Sequence, residues 1–304
     1  MPSDPGRPRV GFVGLGVMGT PMSGHLLDAG YPVTVFDIDA AASAALEADR
    51  PGVIVAPTPK ALAAASDIVL TMLPDGHVVQ QVALGDDGLI HGFAAGSLLV
   101  DTSSSQPWIT AETAEALRAG GVGMVDAPVS GAQWGAQAAE LVFMVGGAPE
   151  HVARARPLLD VLGRAVFHLG PLCSGHMMKC INNTVTAMTF QATLEGLALG
   201  VAAGLDPVAM NDVFNESTAG SWISANHIGQ RILSGTFDDP FRLALMRKDV
   251  DIATGLAEQL ELDLPMATLC ADSYREADAE FGEGSSLSDL GRWTERRTGV
   301  TISR

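Results

Sequence analysis

Lys179 and Asn183 are the two residues whose types and spacing first suggest chemistry in this sequence. They lie in "GHMMKCINNTVTAM", residues 175–188, which otherwise has the apolar pattern of a helix. Residues four apart lie side by side on a helix, so the amine and the amide would project together. Such a pair could exchange a proton with a bound molecule. The ordinary alternative is a surface lysine with a buried stem and a solvated head, and helix position alone leaves both open.

A glycine-rich turn follows the first apolar run. "VGFVGLGVMG" contains Gly14-x-Gly16-x-x-Gly19, with Val17 and Met18 before the last glycine. The first glycine permits a tight turn, the second lets the backbone approach a pyrophosphate, and the third permits close helix packing. The motif alone is weak, but an apolar helix and a second strand follow it here. These five residues are therefore predicted to bind a dinucleotide.

Asp37 ends that second strand, "PVTVFD", at the distance expected for an acid that binds ribose hydroxyls. A carboxylate at this position repels a 2′-phosphate, and no arginine follows it in "FDIDAAA". NAD is therefore predicted in preference to NADP. FAD also binds this kind of motif, so the assignment of a nicotinamide cofactor depends on other parts of the chain.

Composition excludes several classes of protein. The chain has 304 residues, 47% of them hydrophobic, and a net charge of -17, which argues against a nucleic-acid partner. Three cysteines without C-x-x-C spacing indicate neither a disulfide framework nor a metal site, and they favour the cytoplasm. The N-terminal "MPSDPGRPRV" lacks the apolar core of a signal peptide, and no apolar run is expected to reach transmembrane length.

The elements that must position these residues change in type along the chain. Up to about Leu169, short β-branched runs alternate with helical stretches, which is typical of a parallel, doubly wound sheet. From Gly175 onward the pattern is helical. We therefore predict an α/β Rossmann-like dinucleotide-binding domain over residues 1–170, followed by an all-α domain for substrate binding and dimerisation over residues 171–304.

Four motifs, in order along nearly the whole chain, resemble those of the β-hydroxyacid dehydrogenase family. They are "GFVGLGVMGTPMSGHLL", "DAPVSGAQWGAQAAELVFMVGG", "GHMMKCINN" and "FRLALMRKDVDIA". The family includes 3-hydroxyisobutyrate dehydrogenase and tartronate semialdehyde reductase and is related to 6-phosphogluconate dehydrogenase. The resemblance implies an NAD-dependent enzyme that interconverts a small 3-hydroxy acid and its semialdehyde. It also implies a homodimer or homotetramer.

The resemblance assigns catalysis to Lys179 and Asn183, the family's K-x-x-x-N pair. The lysine would accept the hydroxyl proton while hydride leaves the carbinol carbon, and the asparagine would orient the hydroxyl. A lysine pKa is ordinarily about 10.4, so this role requires burial or a helix start to lower it. The position of Lys179 about one turn into its helix, beside Met177 and Met178, favours both effects.

The substrate carboxylate is assigned to the loop "DAPVSGA", which resembles the family's D-x-P-V-S-G-G. Ser130, Gly131 and the amide of Ala132 would hold it. Ala132 replaces the usual second glycine, so its Cβ is expected to narrow the loop and restrict φ. Trp222 in "STAGSW" occupies a position where some members carry an aromatic residue near the substrate.

The remaining cofactor contacts are also implied by the resemblance. Leu73 and Pro74 would lie in the loop beside the adenosine of the cofactor, and Ser104 would lie near the nicotinamide ribose. Lys248 would reach the cofactor from the helical domain. Without the resemblance, Lys248 and the following Asp249 would be interpreted as a solvated pair on an exposed helix face. His176, three residues before Lys179, is interpreted as a capping or packing residue.

Three alternatives stay open. The chain could be a tartronate semialdehyde reductase, or an imine reductase of related fold, although those enzymes typically replace the lysine with Asp or Tyr. It could also be a non-catalytic nucleotide-binding protein. The C-terminal "FGEGSSLSDLGRW" departs from the family's usual G-x-x-D-x-S pattern, so the sequence does not identify the substrate.

Overall fold

The chain forms two compact units, described here from a computed structural model that covers residues 6–50 and 52–303. The chain divides into an N-terminal unit, Met1–Lys179, and a C-terminal unit, Cys180–Arg304. The division lies within a long helix rather than at residue 170, where the change in composition suggested a boundary. The first turn of that helix therefore belongs with the N-terminal unit.

The N-terminal unit is a sheet with helices on both faces. Its strands are β1 Val10–Val13, β2 Val33–Phe36, β3 Ile54–Val55, β4 Ile68–Thr71, β5 Leu98–Asp101, β6 Gly123–Asp126, β7 Val129–Ser130, β8 Leu141–Gly146 and β9 Gly163–Gly170. Its helices are α1 Gly19–Asp28, α2 Ala40–Asp49, α3 Pro59–Ala64, α4 Gly76–Leu84, α5 Pro107–Ala119, α6 Ala132–Ala138, α7 Pro149–Leu162 and the start of α8 Ser174–Ala202.

The strand order identifies the architecture. Six strands pair in parallel in the order β3-β2-β1-β4-β5-β6, the arrangement of a doubly wound dinucleotide-binding sheet. β8 then pairs antiparallel with β6 and β7, and β9 pairs parallel with β8. The predicted Rossmann-like fold class is confirmed.

Alternating side chains of the central strands form two separate cores. In β1, Phe12 belongs to a cluster packed by α1 and α7, whereas Val13 belongs to a cluster packed by α3 and α5. In β5, Val100 and Leu99 divide in the same way. Successive residues of a strand point to opposite faces, so the continuous apolar runs in this sequence indicate a sheet covered on both sides.

In the C-terminal unit, over the described residues 180–303, the regular elements are all helices, and one isolated bridge joins Arg242 and Ser286. It contains most of α8, then α9 Pro207–Glu216, a π-helix Ser224–Leu233, α10 Leu243–Gln259, α11 Pro265–Phe281 and α12 Asp289–Thr298. Its core includes Phe190, Leu194 and Leu197 of α8. The all-α character predicted for the second half is confirmed.

α8 is long and apolar enough to cross a bilayer by length and composition, so the expectation that no run reaches that length is wrong. Its most apolar window is 44% buried within the protein. Ala187, Phe190, Leu194 and Leu197 repeat at helical spacing and are fully buried. A core helix passes the same test as a membrane span, so the observation is weak evidence for a membrane.

Candidate functional site

The glycine turn after β1 has the shape that a pyrophosphate requires. Gly14 has a φ of 97°, and a Cβ there would overlap the Met72 carbonyl oxygen. A Cβ at Gly19 would overlap the Gly14 carbonyl oxygen, whereas a Cβ at Gly16 would meet no atom within 4 Å. Gly14 and Gly19 are thus needed for the fold, and Gly16 leaves open space beside the start of α1. Val17, 65% exposed, borders the same space.

Asp37 is held against this turn at the end of β2. Its Oδ2 accepts a hydrogen bond from the Leu15 amide at 2.5 Å, and its Oδ1 accepts one from the Asp39 amide at 2.8 Å. Asp39 in turn caps α2 by accepting from the Ala41 amide. The Asp37 carboxylate is therefore fixed beside the glycine turn, and this arrangement fits a dinucleotide.

The loops after β4 and β5 are joined by a carboxylate that the sequence analysis missed. Asp101 is fully buried and accepts hydrogen bonds from the Thr71 hydroxyl at 2.9 Å, the Ser103 amide at 3.0 Å and the Ser105 hydroxyl at 2.8 Å. Ser103 Oγ accepts from the Leu73 amide at 2.9 Å. An acid at a strand end followed by three serines, "VDTSSSQ", was the available signal.

The predicted cofactor residues of the N-terminal unit share one edge of the sheet. Those after β1, β2, β4 and β5 are at the carboxyl ends of adjacent parallel strands, where ligands of such sheets bind. They are Gly14, Gly16, Val17, Met18, Gly19, Asp37, Leu73, Pro74 and Ser104. Ser104 is partly exposed between the buried Ser103 and Ser105.

The candidate carboxylate loop joins β7 to α6. Ser130 ends β7, Gly131 has a φ of 130°, and Ala132 begins α6 with a φ of 51°. The backbone thus adopts a left-handed conformation at Ala132, which a glycine would adopt without strain and an alanine does not. The expected restriction of φ therefore appears as local strain at Ala132.

Lys179 is not a solvated surface lysine, because only 9% of its surface is exposed. It lies in the second turn of α8, with the buried Cys180 beside it. Burial, together with the negative charge of Asp249, raises the pKa of the Cys180 thiol to about 12. The thiol is therefore neutral near pH 7, and it does not compete with the amine for a proton.

Asn183, four residues further along α8, is oriented by a buried carboxylate in the C-terminal unit. It is 5% exposed, and its Nδ2 donates to Asp249 Oδ2 at 2.6 Å. Its Oδ1 accepts from Asn182 Nδ2 at 3.2 Å. The bond to Asp249 fixes which end of the amide faces the carboxylate.

Lys248 and Asp249 on α10 are not the solvated pair that such a sequence usually forms. Lys248 Nζ lies 3.1 Å from Asp249 Oδ1, and the side chains are only 17% and 3% exposed. Asp249 contacts both Asn183 and Lys248, so it joins two of the candidate residues, and no role was predicted for it from the sequence. Its position after lysine in "MRKDVD" was the only signal.

Trp222 lies on the surface of the C-terminal unit, in the connection between α9 and the π-helix, and is 63% exposed. It is not part of that unit's core. Its proposed proximity to a substrate stays a prediction.

Known proteins match the chain along almost its full length. Residues 9–170 match the model of the NAD binding domain of 6-phosphogluconate dehydrogenase. Residues 173–293 match the model described as the NAD-binding region of NADP-dependent 3-hydroxyisobutyrate dehydrogenase.

Individual relatives agree with these matches. The 3-hydroxyisobutyrate dehydrogenase of Pseudomonas aeruginosa is 37% identical over 290 residues, which are 92% of this chain and 96% of the relative. The 2-(hydroxymethyl)glutarate dehydrogenase of Eubacterium barkeri is 33% identical, with 97% of each chain covered. The solved structure of Mycobacterium tuberculosis 3-hydroxyisobutyrate dehydrogenase with L-serine has a TM-score of 0.85 and 30% identity, covering 94% of this chain and 99% of that one.

Proposed function

Because this chain belongs to the β-hydroxyacid dehydrogenase family, we propose that it oxidises a small 3-hydroxy acid to the corresponding semialdehyde, and catalyses the reverse reduction, with NAD as the cofactor. The observation that carries the proposal is the buried pair on α8, Lys179 and Asn183, with Asn183 held by Asp249. An amine and an amide are costly to bury, and the proposed catalytic role accounts for their burial on this helix.

The substrate class follows from what the relatives' names share. 3-Hydroxyisobutyrate, 2-(hydroxymethyl)glutarate and L-serine each carry a primary alcohol on the carbon next to the one that bears the carboxylate. They differ in the remaining substituent of C2. We assign the common part, HOCH2–CHR–COO⁻, to this enzyme and favour a 3-hydroxyisobutyrate-like substrate. Tartronate semialdehyde, which carries a hydroxyl at C2, is the competing substrate.

Different residues are assigned to proton transfer, to orientation of the hydroxyl and to binding of the carboxylate. When bound, the nicotinamide ring accepts the hydride that leaves the carbinol carbon. The neutral amine of Lys179 takes the hydroxyl proton as the carbonyl forms, and returns it in the reverse reaction. The Asn183 amide oxygen is oriented by Asp249, and Ser130 with the amides of Gly131 and Ala132 would hold the carboxylate.

Replacement of Lys179 tests the catalytic assignment. Lys179→Ala should lower kcat by about 10²- to 10⁴-fold, the usual contribution of a general base, while the Kd for NADH changes less than about threefold. The measurement is NAD reduction at 340 nm over a panel of 3-hydroxy acids that differ at C2, with NADH binding followed by fluorescence.

Lys60→Ala is the matched control, because Lys60 is an exposed residue of α3. It should leave both quantities unchanged. Retained turnover in Lys179→Ala, or loss of NADH binding, would contradict the assignment. Binding of NADH without turnover of any acid by the unaltered protein would instead favour the non-catalytic alternative, and turnover of cyclic imines would favour the imine reductase.

Asp37 carries the proposed preference for NAD. Asp37→Asn removes the charge and keeps an oxygen that can accept from the Leu15 amide, whereas its nitrogen cannot accept from the Asp39 amide. We expect the ratio of kcat/KM for NAD to that for NADP to fall about tenfold, because repulsion of the 2′-phosphate is removed. An unchanged ratio would show that Asp37 does not select the cofactor.

We further propose a cytoplasmic homodimer or homotetramer that binds neither nucleic acid nor membrane.

A further inference from the structure

A buried polar network connects the carboxyl ends of β5 and β6 with the first turn of α8. Asp101 and Asp126, the last residues of those strands, are both fully buried. His176 lies between them, with Nε2 3.5 Å from Asp101 Oδ2 and Nδ1 3.9 Å from Asp126 Oδ2. The proposed function makes no use of these three side chains.

Asp126 caps α8 from a distant part of the sequence. Its Oδ1 accepts from the Cys173 amide and its Oδ2 from the His176 amide, both at 2.8 Å. First-turn amides have no acceptor within their own helix, so the carboxylate satisfies them. Cys173 has a φ of 78°, a conformation that costs about 1 to 3 kcal/mol and persists only where its surroundings hold it. The start of α8 is therefore pinned to the end of β6.

The His176 imidazole makes a second connection, to the loop that follows β5. Its Nε2 lies 3.2 Å from the Ser103 carbonyl oxygen, which can only accept, so Nε2 carries the hydrogen. Its Nδ1 lies 2.8 Å from Thr110 Oγ1 on α5. Ser103 also accepts from the Leu73 amide, so the same loop is bonded to the one after β4. Both ring nitrogens are used, and neither faces solvent.

We propose that His176 is a positioning residue for Lys179. Lys179 follows it by three residues, so the two lie on adjacent turns of one helix face. The hydrogen bond from the imidazole to the loop after β5 fixes how closely the first turns of α8 approach that loop and how they are rotated about the helix axis. It therefore fixes the position of the Lys179 amine. The kinetic consequence rests on the proposed function, in which Lys179 is the proton acceptor. The position of the Lys179 amine does not depend on that function.

Two amide variants separate this role from simple packing. In His176→Gln the side-chain nitrogen can reach the position of Nε2 and donate to the Ser103 carbonyl. In His176→Asn the shorter amide reaches only the Nδ1 position, beside Thr110. Each variant places a smaller polar side chain beside a hydrogen-bonding partner, the Ser103 carbonyl or the Thr110 hydroxyl, so both are expected to fold. We expect kcat within about threefold of the unaltered protein for the Gln variant and about 10- to 100-fold lower for the Asn variant. KM and the Kd for NADH should change less than about threefold in each.

A readout without turnover is available because the sequence contains only three lysines, Lys60, Lys179 and Lys248. NMR of protein labelled with [13Cε]lysine should give three assignable signals, with Lys→Arg variants for the assignment. The Lys179 signal should move in His176→Asn and return in His176→Gln. The Lys60 signal should stay in place in both variants.

Thr110→Val is the control within the network, because it removes the Nδ1 partner and leaves the Ser103 contact. Its Lys179 signal should keep the position seen in the unaltered protein, and a displacement would contradict the assignment to Nε2. Equal kcat and equal Lys179 signals in the Gln and Asn variants would overturn the proposal. If the unaltered protein turns over no hydroxy acid, the proposed function fails, whereas displacement of the Lys179 signal in the Asn variant alone still supports positioning.

Discussion

Ala132 adopts a backbone conformation that its own side chain disfavours. Its φ of 51° is left-handed, although an L-residue with a Cβ pays about 1 to 2 kcal/mol for that conformation. The loop path is held on both sides, since Ser130 pairs with Val142 of β8 and the Gly135 amide donates to the Gly131 carbonyl at 2.8 Å. The backbone conformation is therefore set by the surrounding contacts, against the preference of the residue.

Ala132→Gly should accordingly raise the free energy of unfolding by about 0.5 to 1 kcal/mol. Relief of the left-handed strain outweighs the greater freedom that glycine gives the unfolded chain. Urea denaturation measures the change. Ala111→Gly, at an exposed position inside α5, is the control and should lower the same quantity by about 1 kcal/mol. A loss of stability in Ala132→Gly would show that the strain is not the dominant effect.

At the scale of elements, α8 depends on a close approach to the sheet. A Cβ at Gly175 would overlap the Met144 carbonyl oxygen of β8, and it would come within 2.8 Å of the Asp126 carbonyl oxygen. Both obstacles are backbone atoms of central strands, which have little freedom to move. The first turn of α8 can therefore reach the strand ends only because residue 175 is glycine.

Gly175→Ala should lower the free energy of unfolding by about 1 to 3 kcal/mol, the usual cost of overpacking. Gly16→Ala is the opposite case, because its Cβ would meet no atom within 4 Å. It should leave stability unchanged and weaken NADH binding, since the methyl group would occupy the space proposed for the pyrophosphate. Thermal unfolding and fluorescence titration distinguish the two variants. Equal stability in both would contradict the proposed docking of α8.

At the scale of the molecule, the C-terminal unit carries an apolar groove of about 440 Å³. Side chains of α8, α10 and α11 line it, including Ile181, Val185, Leu260 and Met266, which are 46%, 53%, 59% and 66% exposed. A chain with a net charge of -17 is otherwise well suited to remain dispersed. The groove supports the predicted homo-oligomer, since an exposed apolar surface of this kind is typical of an interface.

Sedimentation equilibrium should give a mass that is a multiple of the chain mass. Val185→Asp should lower that mass towards the monomer, because it places a charge in the groove. Val213→Asp changes the charge equally at an exposed residue of α9 outside the groove, and should leave the mass unaltered. A monomer in the unaltered protein would refute the predicted oligomer.

Local pattern was sufficient for the fold class and for much of the candidate site. The glycine spacing, Asp37 at the end of a strand, and Lys179 with Asn183 on one helix are recognisable because each depends on residues close together in sequence. The alternation of β-branched runs with helical stretches up to about Leu169, which includes β8 and β9, was also predicted. The antiparallel direction of β8 was not, because strand direction depends on partners far away in sequence.

The sequence by itself determined the candidate residues for the chemistry and the kinds of element that hold them. Only the tertiary structure decided the partners that hold these residues in place: Asp249 beside Asn183, Asp101 beneath the serine loop, and Asp126 at the start of α8. The bound groups lie 66 positions from Asp249, 47 and 50 positions from Asp126, and 2 to 30 positions from Asp101. Their roles come from burial and from contact between separate elements, which leave no periodic pattern in a single sequence.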